Sequence, residues 1–273
     1  MINAIGLGKA GHEIVHQLNQ EIFHSISIDC DMGSFLIDEQ KSFEDYENKF
    51  SEERISELKM SKKSDSTFFF LAGGGDISGS CLRILEHLKE SQKLFVHYIR
   101  PDLDLLSSQE KLKERSIYRV LQEFARSGLI EQLVLFSNQV IDELLGGNGI
   151  GNYYSEINNT IVNTIEMVQF LENEPSLLGN LTDPEEISRI ASLGIMTEDN
   201  KEKSLFNIVN AREKQFIFAL PESTLQTHKT LLKEIKDLGT MVESGTRISY
   251  KVISTDYDKK YVYVKNFTNI IQE

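Results

Sequence analysis

The chain has only two cysteines, Cys30 and Cys81, among 273 residues, far too few for a disulfide framework. Basic residues are also in short supply: 29 Lys and Arg stand against 42 Asp and Glu, a formal charge of -13 and a pI near 5.0. No basic cluster interrupts this balance, which argues against direct binding of nucleic acid. No apolar run approaches the roughly 20 residues that span a bilayer, so membrane insertion is not expected. The opening residues lack the basic-then-apolar order of a secretory signal, and a reducing cytoplasm is the expected location. Solenoid repeats and low-complexity tracts are missing. What is present, 40% hydrophobic and 26% charged residues, suits one large globular unit or two tightly joined domains. It excludes disorder, collagen and coiled coil as the main architecture.

Apolar periodicity lays out alternating strands and helices. A strand over residues 2–5 runs through a glycine turn into a helix whose Ile14, Val15 and Leu18 share one face. A second strand, residues 22–28, ends in Asp29-Cys30-Asp31, and the eight acids of residues 38–57 read as a solvated amphipathic helix and loop. Residues 68–71 form the continuous apolar run of a strand buried on both faces, followed by a glycine-rich turn and a helix over 81–89. A strand at 94–99, a helix at 108–127, a strand at 133–136 and a long helix at 154–171 extend the alternation. The expected fold class is α/β, a doubly wound and mostly parallel sheet with its function at the carboxyl ends of the strands.

Beyond Pro175 the pattern changes. A helix after Asp183-Pro184, a strand at 215–220, a helix at 227–238, and β-rich runs at 247–254 and 260–267 around the turn 255–258 read as a smaller α+β domain. The expected division is 1–175, including the long helix, and 176–273.

Gly6-Leu7-Gly8-Lys9-Ala10-Gly11 places G-x-G-x-x-G between a strand and a helix, where the backbone can approach phosphate and the helix N-terminus offers free N–H groups. With Asp29 18 residues beyond Gly11, the same turn also satisfies the rule for an NAD-binding Rossmann domain, that of an oxidoreductase. A tight strand-to-helix turn needing glycine for packing alone is a third reading. His12-Glu13-Ile14-Val15-His16 matches H-E-x-x-H, yet a zinc hydrolase needs a third ligand and a preceding substrate cleft, and only eleven residues precede His12. No metal site is assigned.

A dinucleotide domain needs one phosphate turn. This chain has a second, Gly73-Gly74-Gly75-Asp76-Ile77-Ser78-Gly79-Ser80, after the apolar strand. With it the sequence resembles the tubulin/FtsZ superfamily, whose nucleotide is held by a glycine loop after strand one and by a signature G-G-G-T/S-G-T/S-G. Downstream, Asn138 resembles the family's guanine-contacting Asn at a strand end. Tyr154 and Asn158, i and i+4 on one helix face, resemble the stacking aromatic and base-reading Asn of its central helix. Asn180-Leu181-Thr182-Asp183-Pro184-Glu185-Glu186 looks like the acidic loop that reaches the nucleotide of the next subunit.

The resemblance covers nearly the whole chain and is strongest to divergent phage, plasmid or bacterial tubulin-like proteins of the PhuZ or TubZ kind. It implies GTP or GDP as ligand, with Mg2+ as a possible companion, and head-to-tail self-association into cytoskeletal filaments that hydrolyse GTP at the subunit interface. An adaptor or cargo protein is a further implied partner. Gly8, Lys9, Ala10, Gly11, His12 and Asp31 would surround the phosphates together with Gly73, Gly74, Gly75, Asp76, Ile77, Ser78 and Gly79. Asn138, Tyr154 and Asn158 would hold the base, and Glu110 or Arg115 the ribose. Asp183 and Glu186 would orient the attacking water, with Asn180 beside the nucleotide.

The chain departs from the pattern in several places. Asp76 puts a carboxylate beside the phosphate position, and Ile77 puts a β-branched side chain where backbone freedom is expected. A helix-capping role for Asp76 or a bridging magnesium would reconcile the carboxylate with a nucleotide. His12 and Glu13 replace amides, and residues 31–63 hold no glycine-rich third loop. A degenerate scaffold without hydrolysis is therefore an alternative. Thr182 or Asp183 as N-cap with Pro184 at the first helical position would equally explain the acidic loop, and Tyr154 as core filler would explain the aromatic.

Overall fold

The computed structural model describes residues 1–273 apart from 50, 51, 65, 91, 148, 150, 228–231, 236 and 238–244. The first half contains β1 (Ile2–Leu7), α1 (Gly8–Gln17), β2 (Phe23–Asp29), β3 (Phe35–Leu36), α2 (Phe43–Lys49), α3 (Glu52–Ile55), β4 (Ser66–Ala72), α4 (Cys81–Leu88) and β5 (Lys93–Arg100). Then come α5 (Ser108–Ser127), β6 (Gln132–Ser137), α6 (Asn138–Leu145), α7 (Tyr153–Asn173), β7 (Ile190–Met196), β8 (Glu202–Ser204), β9 (Glu213–Pro221), α8 (Glu222–Thr227), β10 (Arg247–Thr255) and β11 (Tyr261–Thr268).

All the strands join one mixed sheet, ordered β10-β9-β11-β7-β6-β5-β4-β1-β2-β3, with β8 paired to β7. From β3 to β7 every neighbouring pair is parallel, as the α/β alternation requires. Strand alternation sorts the core into two layers. Ile5, Leu7, Phe69 and Leu71 face α4 and α5, whereas Ala4, Phe68 and Phe70 face α1, α6 and α7. Burying a large apolar side chain contributes roughly 1.5–3 kcal/mol, so β4, with Phe69, Phe70 and Leu71 fully enclosed, anchors both layers. The chain leaves β1 for β2 on one side and returns to β4 on the other. The reversal in strand order thus falls between β1 and β4, the position where doubly wound sheets open a crevice.

Local signals set the helix ends. Ser107 and Glu110 form a capping box on α5: Ser107 Oγ accepts from the Glu110 N–H (3.3 Å) and Glu110 Oε2 accepts from the Ser107 N–H (2.8 Å). Gly128 closes α5 in the left-handed conformation. One oxygen of the Glu110 carboxylate, a ribose candidate, is thus taken by the cap, and its hydrogen bonds with Ser107 hold the carboxyl pKa below its usual range.

Several expectations fail in the second half. No helix follows Asp183-Pro184. Residues 180–189 form a loop, closed by a turn in which the Ser188 N–H donates to the Glu185 carbonyl (2.7 Å), and enter β7 directly. The N-cap reading of Thr182 and Asp183 falls with the helix. The turn at 255–258 does not join neighbours, because β9 lies between β10 and β11, parallel to the first and antiparallel to the second. Half of the helix expected over 227–238 lies outside the described residues, and the rest, 227, 232–235 and 237, is helical. α6, β7 and the short β3 and β8 were not expected.

Candidate functional site

The two glycine loops leave adjacent strands at the same level, since Leu7 of β1 pairs with Leu71 of β4. In the first loop, a Cβ on Gly6 would lie 2.1 Å from the Gly11 carbonyl oxygen, so strand and helix touch backbone to backbone. Gly8 has φ +68°, which a side chain would strain, and no side chain caps α1, leaving its first N–H groups open. In the second loop Gly74 has φ +94°, and residues 76–80 turn at once into a 3-10 helix. That regular backbone removes the need for freedom at residue 77. The Ile77 side chain instead closes over Gly8, 2.8 Å from where a Cβ there would stand. The Asp76 carboxylate is ion-paired with Lys113 of α5, a neutralisation across 37 residues that spacing could not reveal.

Beneath the second loop lies a buried polar cluster that sequence reasoning missed. Tyr98 donates to Glu114 (3.1 Å), Arg100 lies 3.3 Å from the same carboxylate oxygen, and a Cβ on Gly73 would collide with the Tyr98 hydroxyl. Burial raises the Glu114 carboxyl pKa, opposed by the Arg100 charge. Gly79 meets α2, where a Cβ would come 2.2 Å from the Phe43 carbonyl oxygen. The acidic segment thus abuts the second loop without supplying a third glycine loop.

The remaining candidates follow the same edge. Arg100 of β5 pairs with Ser137 of β6, and Asn138 comes next, three strand spacings or about 14 Å from β1. Asn138 is buried, and its Oδ1 has no hydrogen-bond partner among the described residues. Such a group ordinarily finds one, so the unpaired oxygen fits a base-contacting role. α1 and α7 pack together, and the Asn19 N–H beyond α1 donates to Glu166 Oε1 of α7 (2.6 Å). Counting eleven residues back along each at 1.5 Å per residue sets Gly8 roughly level with Ser155. Asn158 is buried and Tyr154 is 62% exposed, so Tyr154 does not fill the core. Tyr153, passed over in the sequence, turns inward with an unpartnered hydroxyl, and burial pushes its pKa up to about 12.

Further candidates near this edge make local contacts of their own. Asp29 Oδ1 accepts from the N–H groups of Cys30 (2.7 Å) and Asp31 (3.1 Å), so that oxygen shapes the turn after β2; Asp31 itself is exposed. The His12 and His16 rings meet at a tilt with their centroids 4.2 Å apart, and no group of three or more His, Cys, Asp or Glu among the described residues could hold a metal.

No protein-family model matches the chain, and no curated protein matches it in sequence. Solved structures do match. The GDP-bound monomer of CetZ1 from Haloferax volcanii is 16% identical, with a TM-score of 0.72 over 99% of this chain and 94% of that one. The empty FtsZ dimer of M. jannaschii is 14% identical, with a TM-score of 0.69 over 98% and 88%. The GTPγS-form protofilament of TubZ from Bacillus thuringiensis serovar israelensis is 11% identical, with a TM-score of 0.70 over 98% and 87%. The chain has the tubulin/FtsZ fold.

Within this tubulin/FtsZ-like chain the acidic loop stands apart from the glycine loops. It borders a cavity of about 610 Å³ shared with Phe95, Gln132 and Glu172. Phe95 and Gln132 lie toward the amino-terminal ends of β5 and β6, the opposite end of the parallel strands from Gly8, Gly73 and Asn138. Asn180, Asp183 and Glu186 are exposed, and neither acidic side chain has a partner among the described residues. No described helix is long and apolar enough to cross a membrane.

Proposed function

We propose that this protein binds a guanine nucleotide and associates head to tail with copies of itself, each acidic loop completing the hydrolytic site of the next subunit. One observation carries the reading: the two half-sites lie at opposite ends of the same strands. A single subunit cannot join them, whereas a heterologous contact repeated without closure joins them along a filament. The neighbouring structures of CetZ2 and TubZ are protofilaments in GTPγS form, which supports the same arrangement here.

In this reading Gly8, Lys9, Ala10, Gly11 and His12, with the Gly73–Gly79 turn and Asp31 at its rim, surround the phosphates. Asn138, Tyr154 and Asn158 hold the base. GTP supplies the phosphoanhydride bond to be cleaved, and Asp76, already paired with Lys113, is a candidate oxygen donor for magnesium. Asp183 and Glu186 accept hydrogen bonds from water and aim it, with Asn180 beside the nucleotide. Residues 1–175 form the nucleotide-binding domain, while 176–273, with the separate apolar cluster around Phe216, Phe218 and Val252, form the smaller one. The setting is cytoplasmic, and the polymer engages an adaptor or cargo protein.

Because the site is shared, GTP turnover per subunit rises with protein concentration, and Asp183→Ala abolishes it while leaving nucleotide binding intact. Turnover independent of concentration contradicts the reading. The abutment of α2 on Gly79 and the cover of Ile77 over Gly8 favour a second reading, a nucleotide-binding scaffold without hydrolysis. Nucleotide-dependent light scattering with no phosphate release at any concentration would favour it.

A further inference from the structure

The acidic loop lacks the helix that would ordinarily satisfy its backbone, and side chains from two strands take that place. Glu213 and Gln215 are i and i+2 on β9, hence on one face, and their direct partners in the ladder are Arg247 and Ser249 of β10. Thr182 donates its N–H to Ser249 Oγ (3.3 Å) and accepts at its carbonyl from Gln215 Nε2 (2.7 Å). The Glu185 N–H donates to Glu213 Oε1 (2.7 Å), and Arg247 Nη2 donates to the Asp183 carbonyl (2.6 Å). Arg247 also grips Glu213 Oε2 through Nε (2.7 Å) and Nη2. The Glu213 carboxylate is buried, while the Asp183 and Glu186 side chains are exposed.

We infer that Arg247 and Glu213, seconded by Gln215 and Ser249, are positioning residues that hold the 182–185 backbone so that Asp183 and Glu186 are presented to the neighbouring subunit. The inference rests on the proposed role of that loop. Arg247 is suited to the task because its planar fork spans a carboxylate and a carbonyl at once, which the single ammonium of lysine does not reproduce. The clamp lies at the end of the strands opposite the glycine loops, so its loss leaves the subunit's own nucleotide contacts untouched.

The test compares wild type, Arg247→Ala, Arg247→Lys, Asp183→Ala and the Asp183→Ala/Arg247→Ala double variant in GTP turnover and nucleotide affinity. A displaced catalytic group costs on the order of 100-fold, so Arg247→Ala lowers kcat by about that factor with KM for GTP within about twofold. Arg247→Lys loses about tenfold and carries the test if the alanine variant does not fold. In the Asp183→Ala background, which has no turnover left to lose, adding Arg247→Ala leaves nucleotide affinity unchanged, which a merely destabilising change would not reproduce. Inactive Asp183→Ala alongside fully active Arg247 variants overturns the clamp and leaves the loop's role standing. Wild-type turnover unaffected by Asp183→Ala, or no wild-type turnover at all, overturns both.

Discussion

His97 offers a direct test of how the core is built. It sits on β5 with its ring centroid 4.6 Å from Phe70, 4.8 Å from Phe68 and 6.2 Å from Phe136. Its only hydrogen-bond partner among the described residues is the Phe95 carbonyl, 3.2 Å from Nδ1, and a carbonyl can only accept, so Nδ1 carries the proton of a neutral ring. Burial, seconded by the Lys265 charge and opposed by that hydrogen bond, lowers its pKa to about 3. The unfolded chain titrates near 6.5, so below that pH the unfolded state takes up a proton the native state refuses. The contribution is fully present above about pH 6.5 and is lost at about 1.4 kcal/mol per pH unit as pH falls toward 3, roughly 2 kcal/mol at pH 5. Urea unfolding of wild type and His97→Phe between pH 7.5 and 5 measures it, because carboxylate titrations common to both cancel. The stability difference between the two proteins should shift by about 2 kcal/mol in favour of the variant. Parallel pH profiles would refute the assignment of a neutral, desolvated histidine.

Lys251, buried on β10, donates to the carbonyls of Leu171 (3.0 Å), Glu172 (3.0 Å) and Glu174 (2.7 Å) at the end of α7. Leaving buried carbonyls unpaired costs about 1–3 kcal/mol each, so Lys251→Met should destabilise by roughly 3 kcal/mol in urea and speed hydrogen exchange in the last turn of α7. Gly79→Ala must push aside the start of α2 and should cost about 1–3 kcal/mol, whereas Gly75→Ala, which meets open space at φ -78°, should be nearly neutral to thermal unfolding. Tyr154→Ala should leave stability within about 0.5 kcal/mol, since the ring is exposed, and weaken guanine nucleotide binding about tenfold by titration calorimetry.

The parts of the fold legible in the sequence were those encoded locally. α5 spans Ser108–Ser127 as read, because Ser107, Glu110 and Gly128 carry both its ends within a few residues. β4 was evident from an unbroken apolar run. β7 was not, because Ile190-Ala191-Ser192-Leu193 is short enough to suit either period, and the preceding Pro184 imitates a helix start. Its strand character comes from pairing with β6 and β11 on either side. The glycine loops were visible because left-handed and backbone-contact positions admit few residues. The neutralisation of Asp76 by Lys113 and the clamp on 182–185 were not, since their partners lie from 28 to 67 residues away and polar spacing carries no signal over such distances.

The central claim is that the carboxyl-terminal edge of β1, β4 and β6 holds a guanine nucleotide. Denaturing the purified protein and resolving the supernatant by anion exchange against GDP, GTP, ATP and NAD standards tests it most directly. The account predicts GDP or GTP in the supernatant, or stoichiometric uptake of added GTP with magnesium by protein purified empty. Adenine or nicotinamide nucleotide in that fraction, or an empty protein that takes up no GTP with magnesium, would contradict it.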